Sequence, residues 1–213
     1  VACLVGSEMC IRDRIWYYPY FNPVNYLGHL VLSGQDDEVL LGNFMADAVK
    51  GSSYKMYSTG VQKGILLHRK IDDFTDKHQS YLEGKRRFYD DYPKMGGVIL
   101  DIVYDHLLWQ YELKHQKLNL KEEIKRYYET LDAQKSLMPD RTKFMYGYMK
   151  RDDWLSNYQH EWGIKRALNG VGRRIGYSNN LEYSFSLVSS NRKKFMEEFE
   201  SFFHDIKKEL GYY

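Results

Sequence analysis

The sequence predicts an all-α fold, a single compact helical domain. Three observations carry that expectation. Apolar residues recur at steps of three and four from Val39 onward, no β-branched alternation is sustained, and 213 residues with 43% hydrophobic content suit one core. Charge is nearly balanced, 31 Lys+Arg against 29 Asp+Glu for a net +2, which argues against a protein that coats nucleic acid. No apolar run approaches the roughly 20 residues that cross a bilayer, so no membrane span is expected. Only four prolines and no short-period repeat exclude linker-rich and solenoid architectures.

The first stretch reads differently from the rest. Residues 1–14, VACLVGSEMCIRDR, read as a non-native leader resembling translated adapter sequence, and 15–24 as an extended aromatic flank. The helical domain is then 25–213. Both cysteines, Cys3 and Cys10, lie in the leader, which excludes a disulfide framework and a Cys-based zinc site. A secretory signal needs a charged start and a long apolar centre, and neither is present, so a cytoplasmic protein is expected.

Helices follow in order. Leu40, Leu41, Phe44, Met45 and Ala48 form a short apolar stripe that Gly51 stops. Ile65 to Phe74 continues through Leu66, Leu67 and Ile71, and a third helix covers about Tyr81 to Tyr89, ending before Pro93. The longest apolar stretch, Val98 to Leu113, places Leu100, Val103, Tyr104, Leu107, Leu108 and Tyr111 on one flank. Asn119 and Glu122 suggest an N-cap and capping box ahead of Ile124, Tyr127, Tyr128 and Leu131. Pro139-Asp140 restarts the chain before a helix carrying Phe144 and Tyr148. Trp154 to Ile175 reads as shorter pieces broken by Gly163, Gly170 and Gly172, with Gly176 following. Phe195, Phe199, Phe202, Phe203, Ile206 and Leu210 mark the clearest helix, the last.

Four polar pairs stand four residues apart within these helices: Asn43/Asp47, His68/Asp72, Asp72/Asp76 and Asp101/Asp105. Four residues return a helix to within about 40° of its starting direction, so each pair shares a face. Two ionised carboxylates beside the apolar stripe of the Asp101 helix would repel each other and lose hydration, costing several kcal/mol per buried ion. A divalent cation compensates both effects, because hard cations take carboxylate oxygens and imidazole completes borderline sites. His106 lies about 100° round the helix from Asp105, which places it behind such a site unless helix packing favours it. Any one pair alone is more often solvated surface; three constellations on three apolar helices favour a metal site.

At these residues the chain resembles the bacterial acyl carrier protein phosphodiesterase family. The resemblance rests on Asn25-Tyr26-Leu27-Gly28-His29-Leu30, on Gly42-Asn43-Phe44-Met45-Ala46-Asp47, on His68, Arg69, Ile71, Asp72, Thr75 and Asp76, and on Asp101, Asp105 and His106. Gly28 departs from the alanine usual there. The resemblance implies an HD-like, metal-dependent phosphohydrolase architecture. It also implies a Mn²⁺-preferring hydrolase (Mg²⁺ being another suitable cation) that removes 4′-phosphopantetheine from holo-acyl carrier protein, leaving the apo-protein. On that resemblance, Asp47, His68, Asp72 and Asp105 are the expected metal ligands. Asp101 is a further ligand or the base that orients water, Arg69 pairs a phosphate oxygen or is a surface cation, and Asn43 and Asp76 hold ligands or a water. His106 and His29 stand behind the ligands.

The partner implied is an acidic carrier protein, for which a basic patch is expected. Lys85-Arg86-Arg87 is preferred for its chain proximity to His68; Arg173-Arg174 and Lys193-Lys194 are the alternatives. One rival reading is an HD-like phosphohydrolase acting on a nucleotide or another small phosphoester. A second is a non-catalytic helical module that docks acidic proteins. Oligomeric state has no signature in the sequence.

Overall fold

A computed structural model describes residues 25–177 and 180–212. The leader and flank assigned to 1–24 lie outside the described residues. Among those described there are eleven α-helices, four short 3₁₀ turns and no strand. The helices are α1 (Tyr26–Val31), α2 (Asp37–Met45), α3 (Thr59–Lys77), α4 (Gln79–Arg86), α5 (Gly96–His115) and α6 (Leu120–Ala133). They continue as α7 (Asp140–Arg151), α8 (Trp154–Asn157), α9 (Glu161–Ile175), α10 (Phe185–Ser190) and α11 (Arg192–Glu209).

The core forms around α5, which is apolar on most of its circumference and buries Leu100, Val103, Leu107, Leu108 and Trp109 among others. A helix apolar all round must be covered all round. The phenylalanine stripe of α11 supplies one cover: Phe199 meets the Tyr104 ring edge-on at 5.2 Å and Phe203 meets Tyr111 at 5.3 Å. No helix among the described residues is long and apolar enough to cross a membrane.

The contact that matters most for the site is α2 against α3. A Cβ on Gly42 would lie 2.1 Å from the Val61 carbonyl oxygen, and one on Gly64 would lie 2.1 Å from that of Val39. Only glycine fits at both crossing points, so the two backbones touch. Asn43, the next residue after Gly42, is thereby pressed against His68, one turn beyond Gly64.

Several expectations shift in detail. The helix expected over Ile65 to Phe74 is α3, longer at both ends; it buries Val61, Ile65, His68, Ile71 and Thr75 and leaves Leu66 45% exposed. Asn119 sits at the N-cap of α6, but its side chain makes no capping bond. In α7 the inward face is Thr142, Met145, Tyr146 and Met149, while Phe144 and Tyr148 face solvent. Residues Trp154 to Ile175 form the short α8 and one unbroken α9. Gly163 does not interrupt that helix; it lets the chain close on Asn157, whose carbonyl oxygen would be 2.0 Å from a Cβ there. Helices α1 and α10 are additions to the expected set.

Candidate functional site

Four elements meet at one place. His29 comes from α1, Asn43 from α2, Asp47 from the 3₁₀ turn Ala46–Ala48, and His68 and Asp72 from α3. His29 Nε2 lies 3.3 Å from one Asp72 oxygen and His68 Nε2 lies 3.3 Å from the other. Asp47 approaches His68 Nε2 at 3.5 Å. The two imidazoles stack with centroids 4.2 Å apart. Both rings are buried, whereas the Asp72 side chain is half exposed, so the cluster is reached from solvent over that carboxylate.

Asn43 fixes the rings from behind. It is fully buried, and its Oδ1 lies 2.8 Å from His29 Nδ1 and 3.1 Å from His68 Nδ1. Its backbone carbonyl lies 2.9 Å from His68 Nδ1, and its Nδ2 donates to the His29 carbonyl and to Ser33 Oγ. Because Nδ2 is already donating, Oδ1 faces the rings and can only accept. Both Nδ1 atoms therefore carry protons, and in the neutral rings both Nε2 lone pairs point at carboxylate oxygens. Acceptor facing acceptor is unfavourable unless positive charge sits between them.

That charge can be a proton or a metal ion. Burial works against an imidazolium at His68, yet the Asp47 and Asp72 carboxylates outweigh it and push its pKa up to about 10. At His29 burial dominates, the charge of His68 adds to it, and the pKa falls despite Asp72 and Asn43. Asp72 is partly buried, which would raise its pKa, but the two histidines hold its carboxyl well below the usual range. Protonating both stacked rings brings like charges together; a single divalent cation satisfies both lone pairs and the Asp72 carboxylate that faces them. His68 Nε2 is buried and faces the Asp72 and Asp47 oxygens at 3.3 and 3.5 Å without hydrogen-bond geometry to either, as a ligand atom without its ion does. His29, His68 and Asp72 each offer one ligand atom within 4.8 Å of the others, and the set fits a borderline divalent cation.

The remaining expected residues divide. Asp101 accepts a 2.7 Å hydrogen bond from the Tyr81 hydroxyl. Burial pushes its carboxyl up to about 8, with Tyr81 opposing and the Asp72 and Asp76 charges adding. It therefore lies within the electrostatic reach of the cluster. Asp76 is exposed, one turn beyond Asp72.

Asp105 has another task. Its two oxygens accept from the backbone amides of Leu27 at 3.1 Å and Gly28 at 2.9 Å, so it caps the start of α1 from 77 residues away. Asn25, at the N-cap position, makes no side-chain capping bond. With both oxygens on these amides, Asp105 anchors the helix that carries His29 and is not among the gathered ligand atoms. The glycine that departs from the family pattern is benign: a Cβ at Gly28 would meet its nearest neighbours at 3.6 Å.

His106 is turned away from the cluster. Its Nδ1 contacts the Tyr158 carbonyl at 2.8 Å, its Nε2 contacts Gln110, and its ring packs edge-on against Phe185. With these contacts all away from His29, His68 and Asp72, the place behind the ligands expected for His106 is corrected. Arg69 donates through Nη2 to the carbonyls of Val49 and Gly51 and lies over the Tyr54 ring, bracing the turn that follows Asp47. In the basic run, Arg87 forms a close ion pair with Glu198 and covers Phe195, so it belongs to the α4–α11 contact rather than to a docking surface. Lys85 lies over Tyr81, and Arg86 is exposed.

His29 was expected behind His68 and Asp72 and instead faces Asp72 beside His68; its place in the Asn25–Leu30 motif was the available signal. Tyr81 was not anticipated, and nothing in its local sequence marks it.

Residues 24–206 match the family described as acyl carrier protein phosphodiesterase. A protein of that name from Photorhabdus laumondii is 30% identical over 184 residues, covering 84% of this chain and 91% of the relative. One from Serratia proteamaculans is 30% identical over 183 residues, covering 84% and 94%. One from Enterobacter sp. strain 638 is 32% identical over 154 residues, covering 71% and 79%. No solved structure matches the chain.

Proposed function

The chain belongs to the acyl carrier protein phosphodiesterase family, and from that membership we propose that it hydrolyses the phosphodiester joining 4′-phosphopantetheine to holo-acyl carrier protein. Water oxygen bonds to phosphorus, the bond from phosphorus to the carrier serine oxygen breaks, and that oxygen takes a proton. The products are apo-carrier protein and free 4′-phosphopantetheine. The observation that supports this reading best is the convergence of two Nε2 atoms, locked by Asn43, on a half-exposed Asp72.

We assign a divalent cation, Mn²⁺ or Mg²⁺, to His29, His68, Asp72 and Asp47. Bound there, it would lower the pKa of water and draw charge from the phosphoryl oxygens. Asn43 keeps both imidazoles in the ligating tautomer. Asp101, whose pKa of about 8 suits a proton acceptor near neutral pH, takes the proton from water, and the Tyr81 hydroxyl holds that carboxyl in place. Lys85 and Arg86, on the helix after α3, offer positive charge to the acidic carrier.

The test is mass spectrometry of holo-carrier protein incubated with the enzyme and Mn²⁺. The carrier should lose the mass of its arm, and chelation or Asp72→Ala should abolish the loss with helicity retained. Cleavage that persists with Asp72→Ala refutes the assigned site. An untouched carrier with turnover of a nucleotide phosphoester would move the activity to that substrate class.

A further inference from the structure

Used by none of the roles above, a cavity of about 530 Å³ lies between the start of α1, the α8 region and one face of α9. Its size is that of sites for small organic ligands, about 300–1,000 Å³. Tyr26, Trp154 and Trp162 give it aromatic walls, and Gly163, Ala167 and Gly170 keep the facing side of α9 low. Asn157 and Asn169 donate through Nδ2 to the Asp152 carbonyl and to Glu182, which leaves their Oδ1 atoms to accept from a ligand. Arg166, Arg173 and Arg174 also line it, against a single carboxylate, Asp152, already paired by Arg151 and Arg166. The lining therefore has excess positive charge, aromatic surface and amide acceptors.

Position ties this cavity to the cluster. Tyr26 is on its wall, and His29 follows three residues later on α1, so the two project from neighbouring positions of the same helix. The buried Tyr26 hydroxyl lies in the fields of both Asp47, at the cluster, and Arg174, in the cavity.

We propose that this cavity receives the pantetheine arm of the substrate. The phosphate end lies toward Tyr26 and Arg174, and the arm's amide N–H groups meet Asn157 and Asn169 between the tryptophans. The assignment rests on the phosphodiesterase reading and adds to it the place where the leaving prosthetic group is held.

A Cβ on Gly170 has no neighbour within 4 Å, so Gly170→Phe fills the cavity without displacing the fold, and replacing a mid-helix glycine favours the helix. Calorimetry on the full chain should show binding of 4′-phosphopantetheine, with quenching of tryptophan fluorescence. Gly170→Phe should weaken that binding, and raise KM for holo-carrier protein, by about tenfold or more. Gly147→Phe, at an equally open helical glycine on α7, should change neither. Gly170→Leu replaces the phenylalanine variant if circular dichroism shows lost helicity. Affinity and KM within about twofold of wild type would overturn the proposal, as would tighter binding of adenosine monophosphate than of 4′-phosphopantetheine. If wild-type protein leaves holo-carrier uncut, the phosphodiesterase reading fails on that result, while the calorimetry still decides what the cavity binds.

Discussion

Replacing Asn43 by alanine removes the group on which the site's chemistry is built. The side chain is fully buried and makes four hydrogen bonds: to two ring nitrogens, one backbone carbonyl and one hydroxyl. Two groups keep other partners, since the His29 carbonyl still accepts from Ser33 Oγ and His68 Nδ1 still meets the Asn43 carbonyl. His29 Nδ1 is left buried without an acceptor, which costs about 1–3 kcal/mol. With the lost bonds at about 1 kcal/mol each, urea denaturation of the ion-free protein should show a loss of about 2–4 kcal/mol. The His29 ring is then free to turn or change tautomer, so Mn²⁺ affinity measured by calorimetry should fall about 10–100-fold, the usual effect of removing a group that orients a ligand. A variant that loses stability yet binds Mn²⁺ within about twofold of wild type would refute the reasoning, because Asn43 would then be core packing only.

Three further outcomes follow from the electrostatics. His68, with a pKa near 10 in the ion-free protein, is protonated at pH 8, so Mn²⁺ binding should release close to one proton and tighten as pH rises toward 10; calorimetry in buffers of different ionisation enthalpy measures it, and no proton release would contradict the ligand assignment. Tyr81→Phe removes a hydrogen bond that stabilises the Asp101 carboxylate, so the Asp101 pKa should rise and the acid limb of the kcat/KM profile should move to higher pH; an unmoved limb would remove Asp101 as the base. Arg86→Glu should raise KM for the carrier protein and flatten its salt dependence with kcat little changed, read from steady-state kinetics at two ionic strengths; an unchanged KM would take α4 out of the docking surface.

Helical periodicity made most of the fold legible. The stripes of α5 and α11 are long, apolar and regular, so period alone located them. Helix α1 was hidden because it is six residues long and its cap, Asp105, is supplied by α5 rather than by its own neighbours. Glycine misled in α9, where Gly163 serves a close approach to Asn157 instead of ending the helix. In the site, the four-residue spacing correctly put His68 and Asp72 on one face of α3. Spacing carries no information on which helices meet, however. Asp105, expected as a ligand on the family resemblance, has its oxygens on backbone amides, and the charge run Lys85–Arg87 concealed that Arg87 is paired with Glu198. Burial and pairing arise from packing, and packing is written in contacts distant along the chain.

The central claim is that His29 and His68, set by Asn43, share a cation with Asp72 and Asp47. Diffraction at the manganese absorption edge, on crystals grown with Mn²⁺, tests it most directly. An anomalous peak bonded to both Nε2 atoms and to Asp72 is the predicted result; a peak at Asp105, or none at this cluster in protein that still cleaves holo-carrier, would contradict it.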